Sequence, residues 1–541
     1  MMKKYMIGLC MVAALPATAQ ETYMNANLVT GDLNGTARYV GMGGAMDALG
    51  ADLSTISTNP AGIGLFRKSQ IAVSGGLSTQ NGAQDFDGAS KSHANFDQIG
   101  FVWSNQRSRS SFINIAFNYH KSRDFNYILS AVNNRLDQPA SQNALSYIKA
   151  IGDRNENGES TFAVVGEEEK PFYGDFLWTS QLDNLYYNAF IIDEYEKHGF
   201  NMADGYDMKR NNSGYTGEYE LNISANVNDR VYLGATFGLQ DVHYKAYGEY
   251  TENLISQTGG TRSVGSITIC DDRKITGTGL NVKLGAIFRP FENSPFRVGL
   301  SFASPTFYDL TTKNNTYLVN NTSYVPYMSY YTSKYSYDFR LNSPMKFGLS
   351  LGHTVGDYLA LGASYEYADY GATDPRIKDG EYYDWYTDEY YSSSSRDENM
   401  KEHTEHTLKG VSTLKLGVEY KPVRDLALRV GYNYVSPMYK SSGFKDGFID
   451  SYGNDVSTTT DYTNWKSTNR LTLGVGYSHN NFFADLAYQY SAQKGDFYPF
   501  MDAYADDWID YNNVDQIDNY ATKTEVQNIR QQFILTLGYR F

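Results

Sequence analysis

A chain of 541 residues with 61 acidic against 46 basic side chains carries a formal charge of −15, which excludes the basic surface that nucleic acid requires. Aromatic residues make up 15% of it, with 48 Tyr, and the mean hydropathy is −0.49. That average excludes a bundle of apolar spanning helices but not a barrel, whose outward apolar and inward polar residues cancel, and so many amphipathic rings are expected at a membrane interface.

The chain opens as a secretory signal peptide over residues 1–19. Lys3 and Lys4 are its basic start, Tyr5 to Leu15 its short apolar run, and Ala17-Thr18-Ala19 its cleavage site. Cys10 is not preceded by a small residue, so lipoprotein processing there is not expected. It would leave with the signal, and Cys270 alone can form no internal disulfide.

Residues 20–68 precede the first strand and are glycine-rich. Asn59 can cap a helix with Pro60 at its first position, where the missing N–H costs nothing. Pro60 would end a helix running from about Ala45 to Thr58, and Gly62 and Gly64 would allow positive φ and close backbone contact.

From residue 69 the chain alternates with period two. Leu471, Leu473, Val475 and Tyr477 share one face against Thr472, Gly474, Gly476 and Ser478. The large apolar face suits lipid and the small or charged face a wet lumen. Such segments predict about fourteen strands: 69–79, 97–104, 110–121, 217–227, 230–249, 274–289, 295–308, 335–353, 358–370, 407–421, 425–437, 466–479, 482–494 and 527–541. Their connections alternate strictly between short turns and long loops (122–216, 250–273, 309–334, 371–406, 438–465 and 495–526), as outer-membrane barrels do and as no soluble sandwich requires. Tyr119, Tyr365, Tyr367, Tyr432, Tyr434, Tyr488 and Tyr490 form a girdle toward the long loops, and Tyr420, Tyr477 and Tyr539 one toward the short turns. The last strand carries Phe533, Leu535, Leu537, Tyr539 and Phe541 on one face, and its terminal Phe resembles the signal read by the outer-membrane assembly machinery.

The predicted fold is an all-β, transmembrane antiparallel barrel of about 14 strands over 69–541, with 20–68 as a small luminal plug. A closed sheet of that size is wider than its side chains can fill, so it needs something in its lumen.

The run Gly41 to Gly64, "GMGGAMDALGADLSTISTNPAGIG", resembles the N-terminal hatch of the FadL/TodX family, outer-membrane transporters of long-chain fatty acids and aromatic hydrocarbons. The positions that carry the resemblance are Gly41, Gly43, Gly44, Asp52, Asn59, Pro60, Ala61 and Gly62. It implies passive transport of hydrophobic small molecules, ATP- and TonB-independent, across the outer membrane of a Gram-negative bacterium. Substrate would be caught among the loops, held in a barrel pocket, released by hatch movement and passed out sideways at a kink in the third strand. It also implies that Asn59, Pro60, Ala61 and Gly62, with Gly43, Gly44 and Asp52, serve as hatch and transport residues. One departure stands out: Ser110 to Lys121 holds no Gly or Pro to mark that kink.

Inward cations could hold a substrate carboxylate, and Arg297, Lys415 and Arg429 are the candidates. The partners expected are a hydrophobic ligand, outer-membrane lipid and the assembly machinery through Phe541, with the chain a monomer. No cofactor, metal or enzyme activity is expected, because no nucleophile constellation stands out. "DRNENGES" (Asp153 to Ser160) opens like a calcium loop but has Val164 where the bidentate Glu belongs. His403 and His406 sit at a loop–strand junction. The Tyr-, Trp- and Asp-rich loops support an alternative reading, a surface interaction barrel such as an adhesin or a secretion-complex subunit.

Overall fold

The computed structural model describes residues 21–86, 88–151, 180–189, 200–256, 262–323, 329–386, 389–505 and 517–541. The calcium-like run from Asp153 to Val164 lies outside the described residues.

Fourteen strands form the wall: β1 Gln70–Asn81, β2 Ser92–Gln106, β3 Phe112–Asp124, β4 Met202–Val227, β5 Val231–Ile255, β6 Ser263–Phe288, β7 Arg297–Ala303, β8 Lys346–Val355, β9 Leu359–Asp369, β10 Gly410–Val423, β11 Leu426–Val435, β12 Tyr462–His479, β13 Phe482–Tyr498 and β14 Thr524–Arg540. Each pairs antiparallel with the next, and β14 pairs with β1 from Arg540↔Gln70 to Ile529↔Asn81, which closes the sheet. Closure leaves no edge strand to pair with another chain.

Alternation along each strand decides which face meets lipid. Leu471, Leu473, Val475 and Tyr477 are 51%, 47%, 47% and 54% exposed, while Thr472 between them is fully buried. The same outward belt runs through Phe101 and Trp103, Leu221 and Ile223, Leu349 and Leu351, and Leu535 and Leu537. Tyr365, Tyr367, Tyr432 and Tyr490 are exposed at its long-loop rim, and Tyr420 and Tyr477 at its short-turn rim. An exposed apolar belt of this extent between aromatic rims is the surface of a membrane-spanning barrel.

Several expected loops are strand. β4 reaches back to Met202, β5 runs on to Ile255, and β6 begins at Ser263. These extensions pair over their full length, as do Phe307–Thr322 with Ser329–Asn342 and Asp374–Asp384 with Glu389–Arg396. The expected seventh and eighth strands each prove to be two. β7 stops at Ala303 before Phe307–Thr322, and Ser329–Asn342 stops before β8. Pro305 and Pro344 fall in these two breaks, opposite one another in register, and neither has an N–H for the ladder. β2 begins at Ser92 rather than at 97, because a bulge turns both Asp97 and Gln98 inward and hides the alternation there.

The plug holds helices α1 Thr22–Val29, α2 Ala37–Gly41 and α3 Thr55–Thr58, then a 3-10 turn Pro60–Leu65. The expected helix from Ala45 to Thr58 does not form as one piece. Gly50 (φ +61°) and Ala51 (φ +53°) reverse the chain between Leu49 and Asp52. The positive-φ glycines of the plug are Gly35, Gly43, Gly44 and Gly50, not Gly62 and Gly64.

The long-loop end is capped by helices α4 Gln142–Ile151, α5 Gln181–Asn188, α6 Glu398–Thr407 and α7 Tyr452–Asp455. Ala144, Leu145 and Ile148 of α4 pack with Phe200 and Phe500 in this cap.

Candidate functional site: the plugged lumen

The short-turn half of the lumen is filled by the plug, and the inward glycines of the wall make this possible. A Cβ on Gly431 would lie 2.1 Å from the Gly43 amide nitrogen, and one on Gly362 2.0 Å from the Ala45 carbonyl oxygen. The small inward face is therefore not a wet one here; it lets the plug backbone lie directly on the wall.

Asn59 is fully buried. Its side chain accepts a hydrogen bond from the Ala61 N–H at 3.2 Å, with Pro60 at the first position of the 3-10 turn, as the residue order predicts. The Pro60 carbonyl accepts from Ser224 Oγ at 2.9 Å. A Cβ on Gly285 would lie 2.1 Å from Asn59 Oδ1, and one on Gly234 2.4 Å from the Pro60 carbonyl carbon. The four residues Asn59 to Gly62 are thus seated on β4, β5 and β6. Asp52 is buried and accepts from Thr36 Oγ1 at 2.8 Å and from the Ser54 N–H at 2.9 Å, which folds the plug onto itself.

Two of the three cations proposed for substrate hold the plug in place instead. Arg429 donates to Glu419 and to Asp485, both at 2.6 Å, and Glu419 also accepts from Arg38 of the plug at 3.0 Å. Arg297 donates to the Leu49 carbonyl at 2.9 Å. Neither lines the cavity above the plug. Lys415 does line it, but lies between Asp47 of the plug at 3.7 Å and Glu366 at 3.5 Å.

That cavity, about 470 Å³, lies between the plug and the loop cap. Its upper wall mixes aromatic groups with the ion pairs Arg210–Asp461 and Arg273–Asp271. Leu28, Val29, Phe125, Tyr308, Tyr370 and Val411 belong to one buried cluster there. Tyr23 of α1 stacks on Tyr439 at 5.0 Å and 9°, and its hydroxyl donates to Asn464 at 2.8 Å. Its lower wall is charged. Lys283 donates to Glu218 at 2.8 Å and to Glu220 at 2.7 Å, beside His120, and Ser57 of the plug donates to Glu220 at 2.9 Å. His120, Glu218 and Glu220 have metal-like spacing, but the Lys283 ammonium already takes the place of a cation among them.

Lys346 lines the same cavity and is the exception. Among the described residues its side chain makes no ion pair or hydrogen bond, and its electrostatic neighbours are Tyr370, the carboxylates Glu366 and Glu218, and Lys283. It sits at the start of β8, two residues after Pro344. Here the cavity also touches Ser304 and Phe347, and Phe347 is 54% exposed on the outer face. Sequence reading passed over Lys346 because nothing in its neighbours along the chain marks it. The adjacent proline was the available signal.

The third strand has no such proline, yet it too is disturbed. Pairing of β2 with β3 ends at Gln98↔His120, and a bulge lies between Lys121 and Arg123.

The cap above the cavity holds two buried acids. Burial pushes Glu252, which lies far above the apolar belt, up to about 7, although it accepts from the Gln142 N–H of α4 and the Tyr250 hydroxyl. Burial and neighbouring Asp450 push Asp455 of α7 up to about 7. His403 lies on α6, where it is hydrogen-bonded to Thr22 at 2.8 Å, and the exposed His406 lies within 3.7 Å of Glu402.

No protein-family profile and no curated protein matches the chain. Among solved structures it is similar to the Ralstonia pickettii toluene transporter TbuX, at 12% identity over 95% of this chain and 100% of that one, TM-score 0.47. It is similar to a Pseudomonas aeruginosa FadL homologue at 14% identity over 98% and 100%, TM-score 0.46. The Pseudomonas putida toluene transporter TodX matches at 11% identity over 95% and 100%, TM-score 0.45. Identities this low with scores below 0.5 decide nothing about function, and the closed barrel stands on its own strand pairing.

Proposed function

We propose that this chain is a passive outer-membrane channel for hydrophobic small molecules in a Gram-negative bacterium, acting as a monomer without ATP or TonB. The observation that carries this reading is the cavity: closed below by the plug, lined above by an aromatic cluster beside two ion pairs, with a cation that makes no direct ion pair beside a break in the wall. An apolar molecule gains nothing by crossing a water-filled pore, whereas burial stabilises it by about 0.8 kcal/mol per CH₂. Lys346 favours an amphiphile with an anionic head, so long-chain fatty acids fit better than bare aromatic hydrocarbons. The solved structures it resembles include two described as toluene transporters.

In this reading the loops capture the ligand, the cavity holds it, and it leaves sideways. The break at Pro305 and Pro344 serves as the exit better than the third strand does, because there the cavity touches residues of the outer face. Asn59 to Gly62 would be the seat about which the plug shifts, with Gly43, Gly44 and Asp52 fixing its shape. Phe541, whose N–H donates to Ser69, would present the finished final strand to the assembly machinery.

The test is uptake of a labelled long-chain fatty acid by Gram-negative cells whose own uptake barrel has been deleted. The wild-type chain should restore uptake, and the Asn59→Ala, Pro60→Ala double variant should lose it while reaching the surface in equal amount. Equal uptake by cells with and without the chain would overturn the proposal. One feature favours the alternative interaction barrel: Trp385 and Tyr386, 75% and 83% exposed, stand at the tip of a protruding hairpin. That reading expects a stoichiometric surface partner lost with a Trp385→Ser, Tyr386→Ser change, and unchanged fatty-acid uptake.

A further inference from the structure

The short-turn end of the barrel carries cations that the chain does not neutralise. Lys68, Arg107, Arg109 and Arg424 are exposed at the tips of three connections. Among the described residues none of their side chains has an ion pair or hydrogen bond. Of the carboxylates at this end, Asp229 pairs with Arg67 and Glu292 with Arg230 at 3.4 Å, while among the described residues Asp357 and Asp425, the latter within 3.7 Å of His479, pair with no Lys or Arg. A chain of net charge −15 therefore gathers spare positive charge at one end.

Depth and spread identify the partner. Three of the cations lie one to four residues beyond lipid-facing side chains, Val423 beside Arg424, Ile71 near Lys68 and Trp103 before Arg107, and Arg109 follows two residues further along the same turn. A tilted strand rises at most about 3.3 Å per residue, so these long side chains reach the headgroup layer, about 5–8 Å thick, next to the apolar core. The β2–β3 and β10–β11 turns lie on nearly opposite sides of a fourteen-strand ring. One globular partner cannot cover both while a leaflet touches all of them.

We propose that this rim binds the phosphate headgroups of anionic phospholipid in the leaflet at the short-turn end. The inference rests on the barrel spanning a membrane and not on what it transports. Charge attraction of this kind is strongest within a Debye length and weakens with salt.

The experiment loads the detergent-purified barrel with equal phosphatidylglycerol and phosphatidylethanolamine and weighs the retained lipid by native mass spectrometry. The expected result is retention of phosphatidylglycerol over phosphatidylethanolamine on the order of tenfold, reduced by added salt. The Lys68→Gln, Arg107→Gln, Arg109→Gln, Arg424→Gln variant should show no preference and an unchanged unfolding midpoint. Lys274→Gln, Lys313→Gln at the other end should keep the preference. Equal retention by the wild type, or an undiminished preference in the fourfold variant, overturns the proposal. So does full competition by inorganic phosphate, which would make this a small-anion site, or an acidic protein retained in place of lipid.

Discussion

The two halves of the lumen share one wall and differ in what meets it. In the short-turn half, inward glycines such as Gly362, Gly417 and Gly431 let the plug backbone lie on the strands, and Arg429, Glu419 and Arg38 tie the two together. In the long-loop half the inward face carries aromatic and charged residues, only α1 of the plug reaches in, and a cavity of about 470 Å³ remains beside it. Side-chain size along the inward face thus decides where the barrel is sealed and where it can hold a ligand.

The largest expected effect comes from removing one side of the comparison. Deleting residues 20–64 should leave a folded barrel that conducts ions in planar bilayers, where the full chain shows almost no conductance. Unchanged conductance would refute the seal. A bulky residue at the contact should open the seal while keeping the plug. Gly431→Val would drive a Cβ into Gly43, and overpacking of this kind costs about 1–3 kcal/mol. The expected result is leak conductance and a lowered unfolding midpoint, both absent when the same change is made without the plug.

Arg429→Ala would leave Glu419 and Asp485 buried with less compensation. Breaking a buried pair costs about 3–5 kcal/mol, here discounted because Arg38 still reaches Glu419. Protection of the plug amides against hydrogen exchange should fall, and that of the cap amides should not. In the upper half, Lys346→Met should weaken binding of a long-chain fatty acid about tenfold without raising conductance, as loss of one charge-assisted contact predicts.

A further effect is one of pH, confined to the cap. Folded Glu252 keeps its proton up to about pH 7, while the unfolded chain releases it near the ordinary carboxylate value. The folded state then binds the extra proton between those values. Its contribution is full below the ordinary carboxylate range, falls as pH rises toward 7, and is constant above. Protection factors of the amides of residues 142–148, corrected for the intrinsic pH dependence of exchange, should therefore be higher at pH 5 than at pH 8, and Glu252→Gln should flatten the difference.

Much of this division was legible in the residues. Period-two alternation located all fourteen wall strands, because one face of each meets lipid along its whole membrane-crossing length. The plug was legible as a glycine-rich run with no place in the wall, and Asn59-Pro60 as a capped turn. The inward glycines were misread as facing water, since a gap beside a backbone and a gap beside solvent ask for the same residue. The strand extensions beyond the membrane were missed, because with solvent on the outer face polar runs such as Lys209 to Ser213 pair without an apolar alternation. The roles of Arg297 and Arg429 depend on partners in other elements, and that of Lys346 on the cavity around it. Arg297 reaches a carbonyl 248 positions away, and no local pattern records that.

The central claim is that the upper cavity is a ligand site closed by the plug beneath it. Native mass spectrometry with lipid extraction of the detergent-purified chain, beside Lys346→Met, tests it most directly. The account predicts one bound long-chain fatty acid or similar amphiphile in the wild type, and its loss in the variant. A wild-type barrel that stays empty when offered fatty acid, or one that holds it equally well without Lys346, would contradict the account.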